Sequence, residues 1–323
     1  MIDFCILGSG IAGSTIANLL SKKYTVEVFD KARGPGGRAS NKRFKLDLGF
    51  DHGAQYISPK TKEFKKFISN LAQKKILKAW GGNHLDFFLN IKNENIKYIG
   101  KTANNDICKY QLKNIKQNYF SNITKIEYKK NHWVIILKDN QKCKFKRLIL
   151  TCPFPQLKKI GRKYLSKKLL KLNVKMEPNI TVMLAFKNQK NLPISSLKFK
   201  DNIVAWASNE NSKKRFISKI NLWTLQSSSL WAAKVINKYK DKKVYYTNIL
   251  INRFFSLTRI NVSKIEYRSI HGWKYSYSKK PTSLNSYWNK KYQLGVCGDW
   301  FLGPKIEHAW LSANNLFKKI SKE

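Results

Sequence analysis

Apolar residues along the chain fall into short blocks whose spacing changes repeatedly between strand and helix periods. Ile2 to Leu7 is an apolar run of strand length, Ser14 to Leu20 is apolar at helical spacing, and Thr25 to Phe29 reads as a second strand. Residues 61 to 78 carry Phe64, Phe67, Ile68 and Leu71 on one helical face, and Asp106 to Ile115 reads as a further helix. Tyr98-Ile99-Gly100 ends a strand. Three more strands follow at Ile123 to Tyr128, Trp133 to Lys138 and Lys142 to Leu150, with Asn131 and Asp139-Asn140 as turn signals. From 166 to 284 the pattern becomes alternating and aromatic-rich, as in Ile180 to Phe186, Asn202 to Ala207 and Ile265 to Tyr267, with Leu230 to Tyr239 and Tyr245 to Phe255 as helices. Tyr292 to Cys297 is again an apolar strand, and Glu307 to Ile320 is an amphipathic helix. The expected class is α/β: a Rossmann-type part interleaved with an α+β part built on a mainly antiparallel sheet.

The first strand, helix and second strand enclose Gly8-Ser9-Gly10-Ile11-Ala12-Gly13, and Asp30 ends the second strand. Strand, glycine turn, helix, strand and acid within about thirty residues is the full context of a dinucleotide fingerprint. Gly8 allows the tight turn, Gly10 leaves backbone bare for a pyrophosphate, and Gly13 lets helix and strand pack closely. The helix start, with the N–H groups of Ile11 and Ala12, offers its positive dipole end to phosphate. Asp30 can accept hydrogen bonds from an adenosine ribose. A structural glycine turn is the alternative.

Lys31-Ala32-Arg33-Gly34-Pro35-Gly36-Gly37-Arg38 follows directly. Gly36 and Gly37 permit a second close backbone approach to the same pyrophosphate, with Lys31 and Arg38 adding charge. An acid followed by RGPGGR resembles flavoproteins of the glutathione-reductase and amine-oxidase type, which implies non-covalently bound FAD. The FAD-binding domain is then expected to be discontinuous, over 1–75, 105–165 and 285–323, with a substrate domain over 76–104 and 166–284. Asp299 ends the returning strand before a helix, where a carboxylate can reach a ribityl hydroxyl. Asp47 to Tyr56 is a polar, glycine-bearing loop expected near the flavin.

Composition changes this picture little. With 42% hydrophobic residues, nine Trp, fifteen Tyr and eighteen Phe, the chain is globular. No stretch reaches the length of a membrane span, and with a strand from residue 2 no cleavable signal segment is expected. The five cysteines, with no CxxC, read as free thiols in a reducing compartment, so a cytoplasmic location is expected. The formal net charge of +44 brings nucleic acid to mind. The lysines, however, run the whole length beside many Asn and Ile, as a codon bias toward A and T produces, and no reader motif accompanies them. The field would still draw anionic substrates.

Five segments in order then resemble the renalase family of small amine-oxidase-fold flavoproteins: LGSGIAGSTIA (7–17), FDKARGPGGRAS (29–40), DHGAQYIS (51–58), LTCPFPQ (150–156) and CGDWFLGPKIEHAWLSA (297–313). WTLQSSSLWAA (223–233) and HGWKYS (271–276) add support. Asp30 stands where that family has Glu, Gly272 and Lys274 replace two arginines, and KTANND (101–106) departs from a Gly-Met-bearing segment. The resemblance implies an FAD enzyme that oxidises 2- or 6-dihydro isomers of NAD(P)H to NAD(P)+. Hydride transfer needs positioning and exclusion of water more than an acid or base. His52, Gln55 and Tyr56 are expected to approach the reacting ring from one loop, with His271, Trp273 and Trp300 from the other side and Trp223 at the substrate. Gln55 and Tyr56 also belong to the expected FAD set. An amine oxidase, with a cage drawn from Trp206, Trp223, Trp273 and Trp300, is the alternative.

Overall fold

The opening pattern folds as its periods require. In the computed structural model, which describes residues 1–45, 47–91, 96–187, 193–260 and 264–323, Ile2–Leu7 is a strand and Ile11–Leu20 a helix. Val26–Phe29 returns parallel to the first strand, with Leu7 opposite Phe29. On the other side, Lys142–Leu150 pairs in parallel with Leu7 opposite Leu150, and Leu294–Val296 extends the same set. These strands belong to an eight-stranded sheet that also takes Lys116–Asn118, Tyr287–Asn289 and an antiparallel hairpin of Ile123–Lys129 with His132–Leu137. Both faces are apolar, as a parallel sheet buried on two sides demands. Phe4 and Ile6 pack under the helices Ile11–Leu20, Lys62–Gln73 and Ile306–Ile320, while Cys5, Leu7, Phe145 and Trp133 form the core of the opposite face.

A second sheet of six strands runs in the order Lys264–Ser278, Met176–Lys187, Asn221–Ser227, Val204–Asn209, Ile194–Lys198, Asn83–Leu85. All its pairings are antiparallel except the last. Strand alternation sends Val182, Leu184, Trp223 and Leu225 to the face covered by Ser229–Val235 and Lys243–Thr258. Thr181, Met183, Thr224 and Gln226 take the other face, toward the segment around residues 49–56.

Several elements differ from the pattern, and the helix expected over Leu230 to Tyr239 ends at Val235. The helix expected over 61–78 stops at Gln73, because Lys75 adopts the left-handed conformation (φ 56°) that ends helices, and Leu77–Ala79 pairs as a strand with Tyr98–Gly100. The helix expected to reach Ile115 ends at Gln111. The alternation at Ile265 to Tyr267 is only the start of a strand of 15 residues. All five cysteines are free thiols, and among the described residues no helix is long and apolar enough to cross a membrane.

The first turn is the tightest contact in the parallel sheet. Gly8 has φ 110°, and a Cβ on Gly13 would overlap the Gly8 carbonyl oxygen, where only backbone could give way. Gly13→Ala is therefore expected to destabilise the fold by about 3 kcal/mol, read as a lowered denaturant midpoint. Gly34→Ala, which points into open space, is the neutral control. Equal midpoints for the two variants would contradict the contact.

Candidate functional site

The two glycine loops touch backbone to backbone. Gly10 bridges Gly36 in parallel, the Gly36 N–H donates to the Ser9 carbonyl at 3.0 Å, and a Cβ on Gly37 would press on the Gly10 Cα. The helix begins at Gly10 with no side-chain cap, so its N-terminal dipole end is left to whatever lies between the loops. Asp30 accepts hydrogen bonds from the Ser9 N–H at 2.8 Å, the Ser9 hydroxyl at 2.6 Å and the Ala32 N–H at 2.9 Å. Of about four acceptor directions on a carboxylate, three hold the turn and one remains for a sugar hydroxyl. Lys31 is exposed beside it.

Arg38 and Asp299 form a bidentate ion pair at 2.8 and 2.5 Å, and the same guanidinium donates to the Ser276 carbonyl at 2.8 Å. The second glycine loop, the turn after the last parallel strand and the long strand of the six-stranded sheet are thereby tied at one point. The Arg38 carbonyl receives the Ala54 N–H at 2.8 Å, and a Cβ on Gly53 would overlap that carbonyl oxygen. The 51–56 loop thus lies directly against the glycine loops.

This loop is anchored from below by buried charge. Asp51 is fully buried and meets Lys213 at 2.8 Å and Arg215 at 2.5 Å. Lys213 also meets Glu210 at 2.9 Å and donates to Gln55 at 3.4 Å, with its ammonium 5.3 Å from the Trp80 ring centre. Two carboxylates and two cations leave the cluster neutral, as burial requires. Lys213 and Arg215 hold the Asp51 carboxyl well below the usual carboxylate range against the opposing effect of burial. Burial pushes the Glu210 carboxyl up. Gln55 donates to the Asp51 and Gly53 carbonyls.

Above the anchor, the loop faces one row of the six-stranded sheet. Trp206, Gln226, Thr181 and His271 lie opposite one another across four strands, and Gln226 donates to the Gly53 carbonyl at 2.7 Å. His52 stacks on Trp273 (5.2 Å, 27°) and meets the His271 ring edge-on at 5.0 Å, while the Trp273 indole N–H donates to the His52 carbonyl at 2.8 Å. Burial, with His271 second, lowers the His52 pKa to about 4. Burial also lowers His271, helped by Lys42 and Lys240. Both rings are neutral near pH 7, and His52 Nδ1 is buried without a hydrogen-bond partner. Tyr56 sits between Trp80 and Trp206, at 6.2 and 5.9 Å, and burial raises its phenol pKa.

Residues 6–71 match the NAD(P)-binding Rossmann-like domain family. The crystal structure of a candidate protoporphyrinogen oxidase from Exiguobacterium sp. 255-15 superposes over 99% of both chains with TM-score 0.74 at 9% identity. A protein from Pyrococcus furiosus gives TM-score 0.67 at 11% identity over 99% of this chain and 98% of its own. The chain shares their fold. It opens with a Rossmann-like dinucleotide-binding unit.

Two expected site residues lie elsewhere. Trp223 is not at a substrate surface: strand alternation points it to the helix-covered face, fully buried against Phe254 at 5.2 Å. Trp300 is also fully buried, stacked on Phe301 and tilted against Phe154 in the core beneath the parallel sheet, with its indole N–H on the Cys152 carbonyl. It is a packing residue beside Asp299 and does not stand with His271 and Trp273. The departures at Gly272 and Lys274 fall on the far side of the long strand. A Cβ on Gly272 would run into the Tyr239 ring, and Lys274 reaches Asn237, so His271 and Trp273 keep their own face. In KTANND, Asn104 supports the loop through its N–H to Asp51 and its side chain to the Ala54 carbonyl.

Sequence reading missed Lys213, Glu210, Arg215, Gln226 and Trp80. Glu210 and Lys213 stand at i,i+3 within NENSKKR, which looks like one more basic surface turn among 63 Lys and Arg.

Lys213→Met strands Glu210 and halves the counter-charge on Asp51, so a loss of about 3–5 kcal/mol is expected. Adding Glu210→Gln rebalances the cluster and should recover part of that loss in the same denaturation series. A double variant no more stable than the single one would contradict the charge account. His52 provides a pH signature. It is held neutral in the fold but protonates near 6.5 when unfolded, so stability is intact above pH 6.5 and falls as pH drops toward 4. The shift is worth about 3 kcal/mol, and His52→Gln should flatten the wild-type loss over that window.

Proposed function

We propose that this protein is an FAD-dependent oxidoreductase that oxidises a dihydronicotinamide dinucleotide, taking the 2- or 6-dihydro isomers of NAD(P)H to NAD(P)+. The carrying observation is that bare backbone at Gly10, Gly36 and Gly37 adjoins, through the Arg38 carbonyl, a loop whose neutral His52 is stacked against Trp273 and His271. The residues fit FAD. Gly8, Gly10, Ile11, Ala12 and Gly13 would hold the pyrophosphate on backbone and helix dipole, with Gly36, Gly37, Lys31 and the Arg38–Asp299 pair on its other side. Asp30 keeps one acceptor direction for the ribose, and Gln55 and Tyr56 border the ring end. FAD supplies, when bound, a ring that accepts a hydride and is reoxidised by oxygen or another acceptor.

What the chain's own residues do is position and dry the donor. His52 and His271 offer polar ring edges without positive charge, since burial keeps both neutral. Trp273 fixes His52 from one side. Lys42 and Lys240 lie close enough to His271 to add to the effect of burial on its pKa, and these cations would meet the substrate phosphates. The net charge of +44 favours an anionic dinucleotide over a protonated amine. In this reading residues 1–75, 105–165 and 285–323 carry the cofactor, and 76–104 and 166–284 face it.

A second reading, a flavin oxidase acting on a flat organic ring or an amine, draws on the aromatic trio Tyr56, Trp80 and Trp206 and on the description of the Exiguobacterium protein. Anaerobic mixing of the oxidised protein with 2- or 6-dihydro-NAD(P), ordinary β-NADH and simple amines separates the two by flavin absorbance. Rapid bleaching by the first and little by the others is expected. His271→Ala should slow that bleaching about 100-fold while FAD stays bound. Bleaching by amines but not by dihydronicotinamides would favour the second reading, and an unchanged rate in His271→Ala would remove His271 from the site.

A further inference from the structure

Beyond the site, the turn after strand Asn83–Leu85 carries three consecutive large apolar side chains into solvent: Phe87 at 45%, Phe88 at 77% and Leu89 at 70% exposure, with Ile91 at 56% behind them. Exposed apolar residues scattered singly need no explanation, but a contiguous run on one tip does. The tip is not slack. The Asp86 carboxylate accepts hydrogen bonds from the N–H groups of Phe88 at 2.9 Å and Asn90 at 3.0 Å. The Asp86 N–H donates to the Asn90 carbonyl at 3.0 Å, and Leu89, at φ 61°, donates to the Asp86 carbonyl at 3.2 Å. The N–H groups of Phe88, Leu89 and Asn90, which would resist leaving water, are therefore satisfied inside the turn. Lys198 stands at the base with its ammonium 5.2 Å from the Phe87 ring centre.

We infer that this tip inserts into the interface of an anionic lipid bilayer and docks the protein there. The occupant follows from shape and charge. A single convex turn cannot bury the area of about 1,200 Å² or more that a specific protein interface needs. A second copy of a chain carrying +44 would be repelled. A bilayer with acidic headgroups accepts a small apolar wedge and at the same time attracts Lys198 at its base and the chain's overall charge of +44, the combination by which peripheral proteins bind membranes.

The full chain is sedimented with phosphatidylcholine vesicles, with and without phosphatidylserine, at low and at physiological salt. Binding is expected on the phosphatidylserine vesicles, and the triple variant Phe87→Ser, Phe88→Ser, Leu89→Ser should lose at least about tenfold in partitioning at physiological salt. Because these side chains are exposed, the variant should keep the wild-type melting profile. A Phe88→Trp variant reads insertion directly: its emission should shift to the blue on those vesicles and be quenched by brominated acyl chains. Equal binding by the triple variant, or an unshifted and unquenched Phe88→Trp signal, would show charge alone at work and overturn the proposal. So would failure of the wild type to bind, or retention on DNA with none on vesicles.

Discussion

The structure depends on a run of contacts in which backbone meets backbone with no side chain between. Gly13 lies on the Gly8 carbonyl, Gly37 on Gly10, and Gly53 on the Arg38 carbonyl, an oxygen to which Ala54, next to Gly53, donates its N–H. Gly53 in turn offers its carbonyl to Gln226 on the six-stranded sheet. This seam joins the parallel sheet to the antiparallel one through the dinucleotide turns themselves. A Cβ on Gly13 or Gly53 would force two main chains apart, and main chains in sheets and helix starts yield little. That closeness therefore also sets where the 51–56 loop stands.

Charge fixes the loop's underside as firmly as glycine fixes its edge. The chain has 63 basic and 19 acidic residues, yet the buried cluster beneath His52 pairs Asp51 and Glu210 with Lys213 and Arg215 in balance. A surplus of cations is tolerable in water and not in the interior, where each must find a carboxylate. The pairing reaches from the cluster to Gln55 and Trp80, so the loop and the aromatic trio beside it are held by the same four groups.

What could be read from sequence follows from how local each signal is. The glycine turns were legible because their partners lie within about thirty residues and their spacing is set by backbone geometry. The Arg38–Asp299 pair spans 261 positions, and each partner had a separate reading as a phosphate or ribityl contact; only the fold shows them bound together. Trp223 was misplaced although its neighbourhood held the answer. Trp-Thr-Leu-Gln alternates, and the apolar pair takes the core face while Thr224 and Gln226 take the face toward the loop. Lys213 had no such cue, since a buried lysine in a lysine-rich chain looks like any other. The long strand through His271 and Trp273 was visible only at its first residues, because half-buried positions blur its period.

The proposed binding of FAD along the glycine seam is tested most directly by the visible spectrum of the purified protein. Incubation with FAD followed by removal of free flavin should leave a yellow protein with close to one FAD per chain, and denaturation should release it unmodified. A protein that stays colourless under those conditions would contradict the claim.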